Sequence, residues 1–206
     1  NPITLQVLGI CSALAVTIAL KGTAIMALAV FFVLVSANVI ISVLRKTIPN
    51  RIRIIVQLVV VASLVAVVDQ VLKAYAYEQS KQLSVFVGLI ITNCIIMGRL
   101  EAFSMANTPW KSFLDGIGNG LGYGVILVAV GVVREVFGKG SLFAGSPIEM
   151  KIIGPNSDYF INTTTNEWFA WYSNNNLMVL PAAAMFIIGI FIWIQRSVNP
   201  KLVDIS

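Results

Sequence analysis

Long apolar runs recur along this chain and are interrupted by short polar clusters. Six stand out, over about 3–20, 23–44, 54–75, 83–97, 114–133 and 177–194. A helix needs about 20 residues to cross a hydrocarbon core about 30 Å thick. The second, third and fifth runs meet that length, and the sixth nearly does. The fourth offers only 15 apolar-compatible residues, about 22 Å as helix. The first is marginal, diluted by Gly9, Cys11, Ser12 and Thr17. The pattern predicts an all-α integral membrane protein of six transmembrane segments, folded as one domain over 1–206, with segments one and four short or broken into half-helices.

Segments one and four hold the same place in two three-span halves, about 1–80 and 81–206. Three is odd, so a repeated three-span unit enters the membrane in opposite senses. LGICSA around Cys11 compares with LIITNC around Cys94, and VLRK at 43–46 with VVRE at 132–135, at nearly the same offset after each cysteine. Short or interrupted segments in matching positions of inverted halves point to a site at the bilayer midplane. Non-helical backbone persists there only where protein or a ligand satisfies it. The plainer alternative is two ordinary spans with ends longer than the pattern shows.

Loop charge sets orientation. Arg45, Lys46, Arg51 and Arg53 crowd the connection after segment two, and Arg99, Lys111, Arg196 and Lys201 fall on the same side. Lys21, Lys73, Lys81, Arg134, Lys139 and Lys151 fall opposite. Both termini are expected in the cytoplasm. The outer loop, about 134–176, is polar and ends in the aromatic run WFAWY at 168–172, which suits an interfacial anchor. Asn162-Thr163-Thr164 fits a glycosylation acceptor, a short match without meaning in a bacterium.

Composition sharpens the class. Of 206 residues, 58% are apolar and 11% charged, against roughly 25% charged in a soluble domain. The net charge of +5 belongs to loops beside apolar segments, so it marks orientation in a lipid bilayer and not a nucleic-acid partner. The start has no cleavable signal pattern. The chain opens at Asn1 in place of Met, which fits a preceding segment.

The candidate chemistry is narrow. With no histidine, a Ser/His/Asp system, an H-E-x-x-H site and histidine-ligated haem are excluded for this chain. Catalytic residues are therefore not expected in it. Cys11 and Cys94 are the only two cysteines. Thiolates are soft ligands suited to iron–sulfur clusters, zinc or copper(I). A 2Fe–2S cluster takes four protein ligands, usually Cys. A homologous partner of inverted orientation would supply the other two, while inert packing of two unrelated cysteines is the alternative. Asp69 with Lys73 reads either as part of an ion path or as an i,i+4 pair at a helix end, and the second is favoured. Asn38, Asn93, Asn119 and Gln57 are expected to bond across helices. In GIGNGLGYG, Gly116, Gly120 and Gly124 share one helix face, a doubled G-x-x-x-G for close packing.

LGICSALAVT at 8–17, KQLSVFVGLIITNCIIMGRLEAF at 81–103 and FLDGIGNGLGYG at 113–124 resemble a family of membrane proteins shared by two redox complexes. It comprises the D and E subunits of the sodium-translocating NADH:quinone oxidoreductase (Nqr) and the A and E subunits of the Rnf complex. C-S-A-L-A-V and GIGNGLGYG favour the Nqr D branch. The resemblance implies a paired E-type subunit of opposite topology (NqrE-like), in a complex with the A, B, C and F subunits of Nqr in a bacterial inner membrane. It implies a shared intramembrane 2Fe–2S cluster with iron ligated by Cys11 and Cys94. It implies electron relay from the cytoplasmic NADH-oxidising subunit toward a covalent FMN on the outer side, coupled to sodium export. FMN, FAD and quinone would belong to the other subunits. An Rnf-type subunit, a cofactor-free ion-path subunit around Asp69 and a structural anchor remain alternatives.

Overall fold

The computed structural model describes residues 8–17, 19–49, 51–75, 88–139, 141–142, 150–151, 153–154, 161–162 and 180–198. Within them the helices are α1 (Ile10–Val16), α2 (Leu20–Leu44), α3 (Arg53–Tyr75), α4 (Cys94–Arg99, continuing as a π-helix over Leu100–Ser104), α5 (Pro109–Lys139) and α6 (Pro181–Val198). Four two-residue strands lie between α5 and α6. Ser141–Leu142 pairs antiparallel with Met150–Lys151, and Ile153–Gly154 pairs parallel with Ile161–Asn162.

Among the described residues, α2, α3, α5 and α6 are long and apolar enough to cross a membrane. Their 25, 23, 31 and 18 residues correspond to helices about 37, 34, 46 and 27 Å long. The second run begins at Leu20 and not at 23, so Leu20 belongs to α2. The fifth runs from Pro109 to Lys139, past both ends read from hydropathy. The first and fourth runs are not continuous helices. In the first, Gly9 has φ 81° and stands just before α1. In the fourth, a helical turn over 88–91 stops at Thr92 and Asn93 before α4 starts. Residues 1–7, 76–87 with Lys81, 168–172 and 199–206 with Lys201 fall outside the described residues, as do Thr163 and Thr164.

The chain divides into two compact units, one from Asn1–Ser12 and Ile25–Val125, the other from Ala13–Ala24 and Ile126–Ser206. In the first, the glycine face of α5 lies against α2. A Cβ on Gly116 would meet the Val35 backbone at 3.1 Å, and one on Gly120 would meet Phe31 at 2.7 Å. One on Gly124 would touch Ala27 at 3.8 Å. Every fourth residue ascending α5 meets every fourth descending α2, so the two run antiparallel. Polar side chains tie α2 to α5 and to the segment that leads into it. Asn38 Nδ2 donates to Ser112 O (3.4 Å) and Asn38 Oδ1 accepts from Ser104 Oγ (2.9 Å). Ser42 Oγ donates to Asn107 O at 2.6 Å.

The second unit holds the C-terminal end of α5. Arg134, read from the sequence as a loop charge, lies inside α5 and is 1% exposed, as is Glu135. Arg134 Nη1 donates to Leu14 O (3.2 Å) and Thr17 Oγ1 (2.6 Å), and Nη2 to Leu180 O (3.2 Å). Glu135 Oε2 accepts the Leu20 amide at 2.5 Å. A cation thus sits at the carbonyl end of α1 and an anion at the amide start of α2, each against the partial charge of the opposite sign. Hydropathy falls away after Val133 because this pair is charged, so the helix looks finished there.

Gly120→Ala is expected to destabilise the protein by roughly 1–3 kcal/mol, the usual range for overpacking. Gly118→Ala, whose added Cβ meets nothing within 4 Å, stays within about 0.5 kcal/mol of the parent. Thermal unfolding followed by circular dichroism in detergent distinguishes them.

Candidate functional site

Both cysteines lie in the first turn of a short helix. Asn93 caps α4, with extended backbone and its Oδ1 accepting the Ile95 amide at 3.3 Å. Cys94 is therefore the first helical residue. Gly9 precedes α1 in the left-handed region, where a side chain is strained, and Cys11 follows two residues later. These starts are built from sequence: an Asn before an apolar stretch is an N-cap, and the glycine permits the turn.

Three buried polar side chains join the two starts. Ser12, Asn93 and Tyr123 are 5%, 5% and 1% exposed. Ser12 Oγ and Tyr123 Oη lie 2.5 Å apart. Asn93 Nδ2 donates to Ser12 Oγ at 3.3 Å and to Tyr123 Oη at 3.4 Å. Ser12 follows Cys11 directly and Asn93 precedes Cys94 directly, so cysteines 83 positions apart in sequence are held beside one cluster on α5. The tyrosine ring also backs the turn: a Cβ on Gly9 would stand 3.0 Å from Tyr123 Cε2 and 3.6 Å from Asn93 Oδ1. Leu8 closes over α4, 3.1 Å from where a Cβ of Gly98 would be.

Charges fasten the far end of α4. Arg99 Nε donates to Asp115 Oδ2 at 3.0 Å, and Nη2 to Oδ1 completes a bidentate pair whose side chains are 13% and 11% exposed. The Arg99 guanidinium stands 5.3 Å from the Phe103 ring centre. Glu101, in the π-helix, pairs with Arg53 and accepts from Gln57 Nε2 at 3.1 Å. Arg45 Nη1 donates to Ala106 O at 3.1 Å, just beyond the π-helix. Planar, charge-assisted pairs of this kind fix orientation as well as contact.

Both thiols are free and exposed on the chain. Among the described residues no three of His, Cys, Asp and Glu gather into a metal-binding group. The donor set is two soft sulfurs on adjacent helix starts, facing outward. A four-thiolate site would need two ligands beyond these.

Other sequence candidates resolve more plainly. Asp69 pairs with Lys73 at 2.6 Å across one helical turn. Asn38, Asn93 and Gln57 do bond between helices, as expected. Asn119 instead donates back to Asp115 O and Oδ1 on its own helix, both at 2.9 Å, because Asp115 is already turned toward Arg99. The roles of Tyr123, Ser12 and Gly9 are not evident from the residue pattern. A hydroxyl-bearing tyrosine at the centre of an apolar run is the one available signal, since a buried phenol needs a hydrogen-bond partner.

Comparison with known proteins agrees with the family resemblance. Residues 1–192 match the family model described as Rnf-Nqr subunit, membrane protein. The chain is 55% identical over 204 residues to the D subunit of the Na(+)-translocating NADH-quinone reductase of Shewanella baltica, covering 99% of this chain and 90% of that one. It is 55% identical over 201 residues to the protein of the same name from Tolumonas auensis, covering 98% and 86%. It is 56% identical over 204 residues to that of Shewanella putrefaciens, covering 99% and 90%.

Replacing Asn93 by Ala is expected to cost about 1 kcal/mol for the lost cap. A further 1–3 kcal/mol, roughly, comes from the buried donors and acceptors it leaves unpaired. Asn93→Ser keeps a cap oxygen and loses the Nδ2 donations without adding a charge, so its melting temperature falls between those of the parent and Asn93→Ala.

Proposed function

The chain belongs to the Rnf-Nqr family of membrane subunits, and we propose that it is the D-type electron-transfer subunit of a sodium-translocating NADH:quinone oxidoreductase. Cys11 and Cys94 hold two corners of an intramembrane 2Fe–2S cluster, and a homologous E-type subunit of opposite topology supplies the other two. The observation that carries this reading is the joining of two cysteine-bearing helix starts through Ser12, Asn93 and Tyr123. Inert packing cysteines have no need of interrupted spans at matching positions, a left-handed glycine and a shared buried polar cluster.

The bound cluster supplies a one-electron acceptor and donor partway through the membrane. The protein's part is to aim the thiols, exclude water around them and anchor their helices. Cys11 and Cys94 sit in the first turns of α1 and α4, where the partial positive charge of a helix start favours an anionic centre. The Arg99–Asp115 and Arg53–Glu101 pairs fix α4 behind Cys94. Electrons would arrive from the NADH-oxidising subunit, which carries FAD, and leave toward FMN and quinone in other subunits. Catalysis does not reside in this chain alone.

Six spans in two inverted repeats fit the same features. The α1 and α4 regions complete segments one and four as interrupted spans. Arg45, after α2, bonds a carbonyl just past the α4 segment, and Arg134, near the end of α5, bonds one near the end of α1. Those two arginines are the matched positions of VLRK and VVRE. With Arg134 and Arg99 both engaged inside the protein, the orientation rests chiefly on Arg45, Lys46, Arg51 and Arg53, whose charge supports a cytoplasmic side for that loop and both termini in a bacterial inner membrane. The names of the relatives favour Nqr over Rnf. The ion pair of Asp69 with Lys73 weighs against a cofactor-free ion path around Asp69.

Cys11→Ala or Cys94→Ala is expected to abolish the cluster's EPR signal and NADH-driven quinone reduction in the purified complex, while NADH oxidation with an artificial acceptor persists. Quinone reduction that survives either change contradicts the assignment. A reporter active only in the cytoplasm, fused after Ser206, is expected to be active; an inactive fusion at normal expression reverses the orientation.

A further inference from the structure

The cluster of Ser12, Asn93 and Tyr123 has only one consistent arrangement of hydrogens. Ser12 Oγ carries a single proton, and it goes to Gly9 O at 2.9 Å, a carbonyl that can only accept. The 2.5 Å approach of Ser12 Oγ to Tyr123 Oη must therefore be bridged by the phenolic proton. Asn93 is oriented independently, because its Oδ1 accepts the Ile95 amide. Its Nδ2 hydrogens are left for Ser12 Oγ and Tyr123 Oη. Every polar side-chain atom of the three then has a partner, and Tyr123 is the donor that links α5 to the start of α1.

We propose that Tyr123 is a positioning residue for both thiols: through its hydroxyl it registers Cys11, by way of Ser12, and Cys94, by way of Asn93, against the rigid middle of α5. The proposal rests on the reading of Cys11 and Cys94 as ligands of a shared cluster. α1 has 7 residues and α4 has 6 before its π-helix, too few to hold their own geometry. α5 has 31 and packs closely on α2 through Gly116, Gly120 and Gly124 on either side of this level. The phenol is thus the fixed point and the two helix starts are the parts that need fixing. Ring and hydroxyl divide the work. The ring backs Gly9, and the hydroxyl orders Ser12 and Asn93. Groups one step behind metal ligands set ligand orientation and redox potential in this way.

Tyr123→Phe separates the two, since it keeps the ring against Gly9 and removes the hydroxyl. The test compares Tyr123→Phe, Ser12→Ala and the double variant in the whole purified complex. The readouts are iron content, EPR line shape, midpoint potential, and alkylation rates of Cys11 and Cys94 after chelation of iron. Tyr123→Phe is expected to retain iron, broaden the EPR line, shift the midpoint and change the alkylation of both thiols together. Ser12→Ala should shift the midpoint likewise, and the double variant by less than the sum of the two, because both remove the Ser12–Tyr123 bond while each also removes its own bond to Asn93. An unchanged midpoint and line shape in Tyr123→Phe, or single shifts that simply add in the double variant, overturns the proposal. If Tyr123→Phe fails to assemble, Ser12→Ala decides it, with an unchanged midpoint as the contrary result. If the parent complex has no signal that depends on Cys11 and Cys94, the cluster reading fails instead. The alkylation rates then decide the positioning role alone, and unchanged rates at both thiols reject it.

Discussion

A helix interrupted in a hydrocarbon environment leaves amides and carbonyls that lipid cannot satisfy, and the rest of this structure follows from how two such interruptions are resolved. Gly9 and Asn93 each break an apolar segment just before a cysteine. Ser12, Asn93 and Tyr123 then absorb the freed polar groups in one buried cluster. Each interruption depends on the other, because the side chain that caps α4 also donates to the serine of α1.

The charged residues follow the same logic at the other ends of these segments. Buried ion pairs are poor sources of net stability, yet removing one partner is strongly destabilising. Here they sit where backbone groups need them. Arg134 and Glu135 meet the end of α1 and the start of α2, while Arg45 meets the carbonyl of Ala106. Arg99 and Asp115 lock α4 to α5, and Glu101 secures the π-helix to Arg53 and Gln57 on α3. Of these, Arg134, Glu135, Arg99 and Asp115 are largely removed from solvent and carry a high desolvation cost, a pattern suited to holding short helices in a fixed geometry.

Much of this was legible in the residue pattern. The long spans were, because about 20 apolar residues have few other fates in a chain this poor in charge. The weakness of segments one and four was legible too, from their length and from Gly9, Ser12 and Thr17. So was the packing role of Gly116, Gly120 and Gly124, whose four-residue spacing fixes one face. The end of α5 was not. Hydropathy stops at Val133 because Arg134 and Glu135 are charged, and only their partners on α1, α2 and Leu180 explain why they are buried. Tyr123 was also hidden, as one aromatic residue in a glycine-rich stretch. Its meaning depends on two segments remote in sequence that converge on it. Asn119 differed because Asp115, four residues earlier on the same helix, offers it both a carbonyl and a carboxylate oxygen.

The functional account needs two outward-facing sulfurs at matched helix starts and a second chain to complete their coordination. The most direct measurement is a cryo-EM map of the membrane-embedded complex, at a resolution that separates metal from sulfur. The account predicts density for two metal ions bonded to Cys11 and Cys94 Sγ and to two cysteines of a neighbouring subunit, with Ser12, Asn93 and Tyr123 in contact behind them. Thiols facing acyl chains, with no metal beside either sulfur, contradict it.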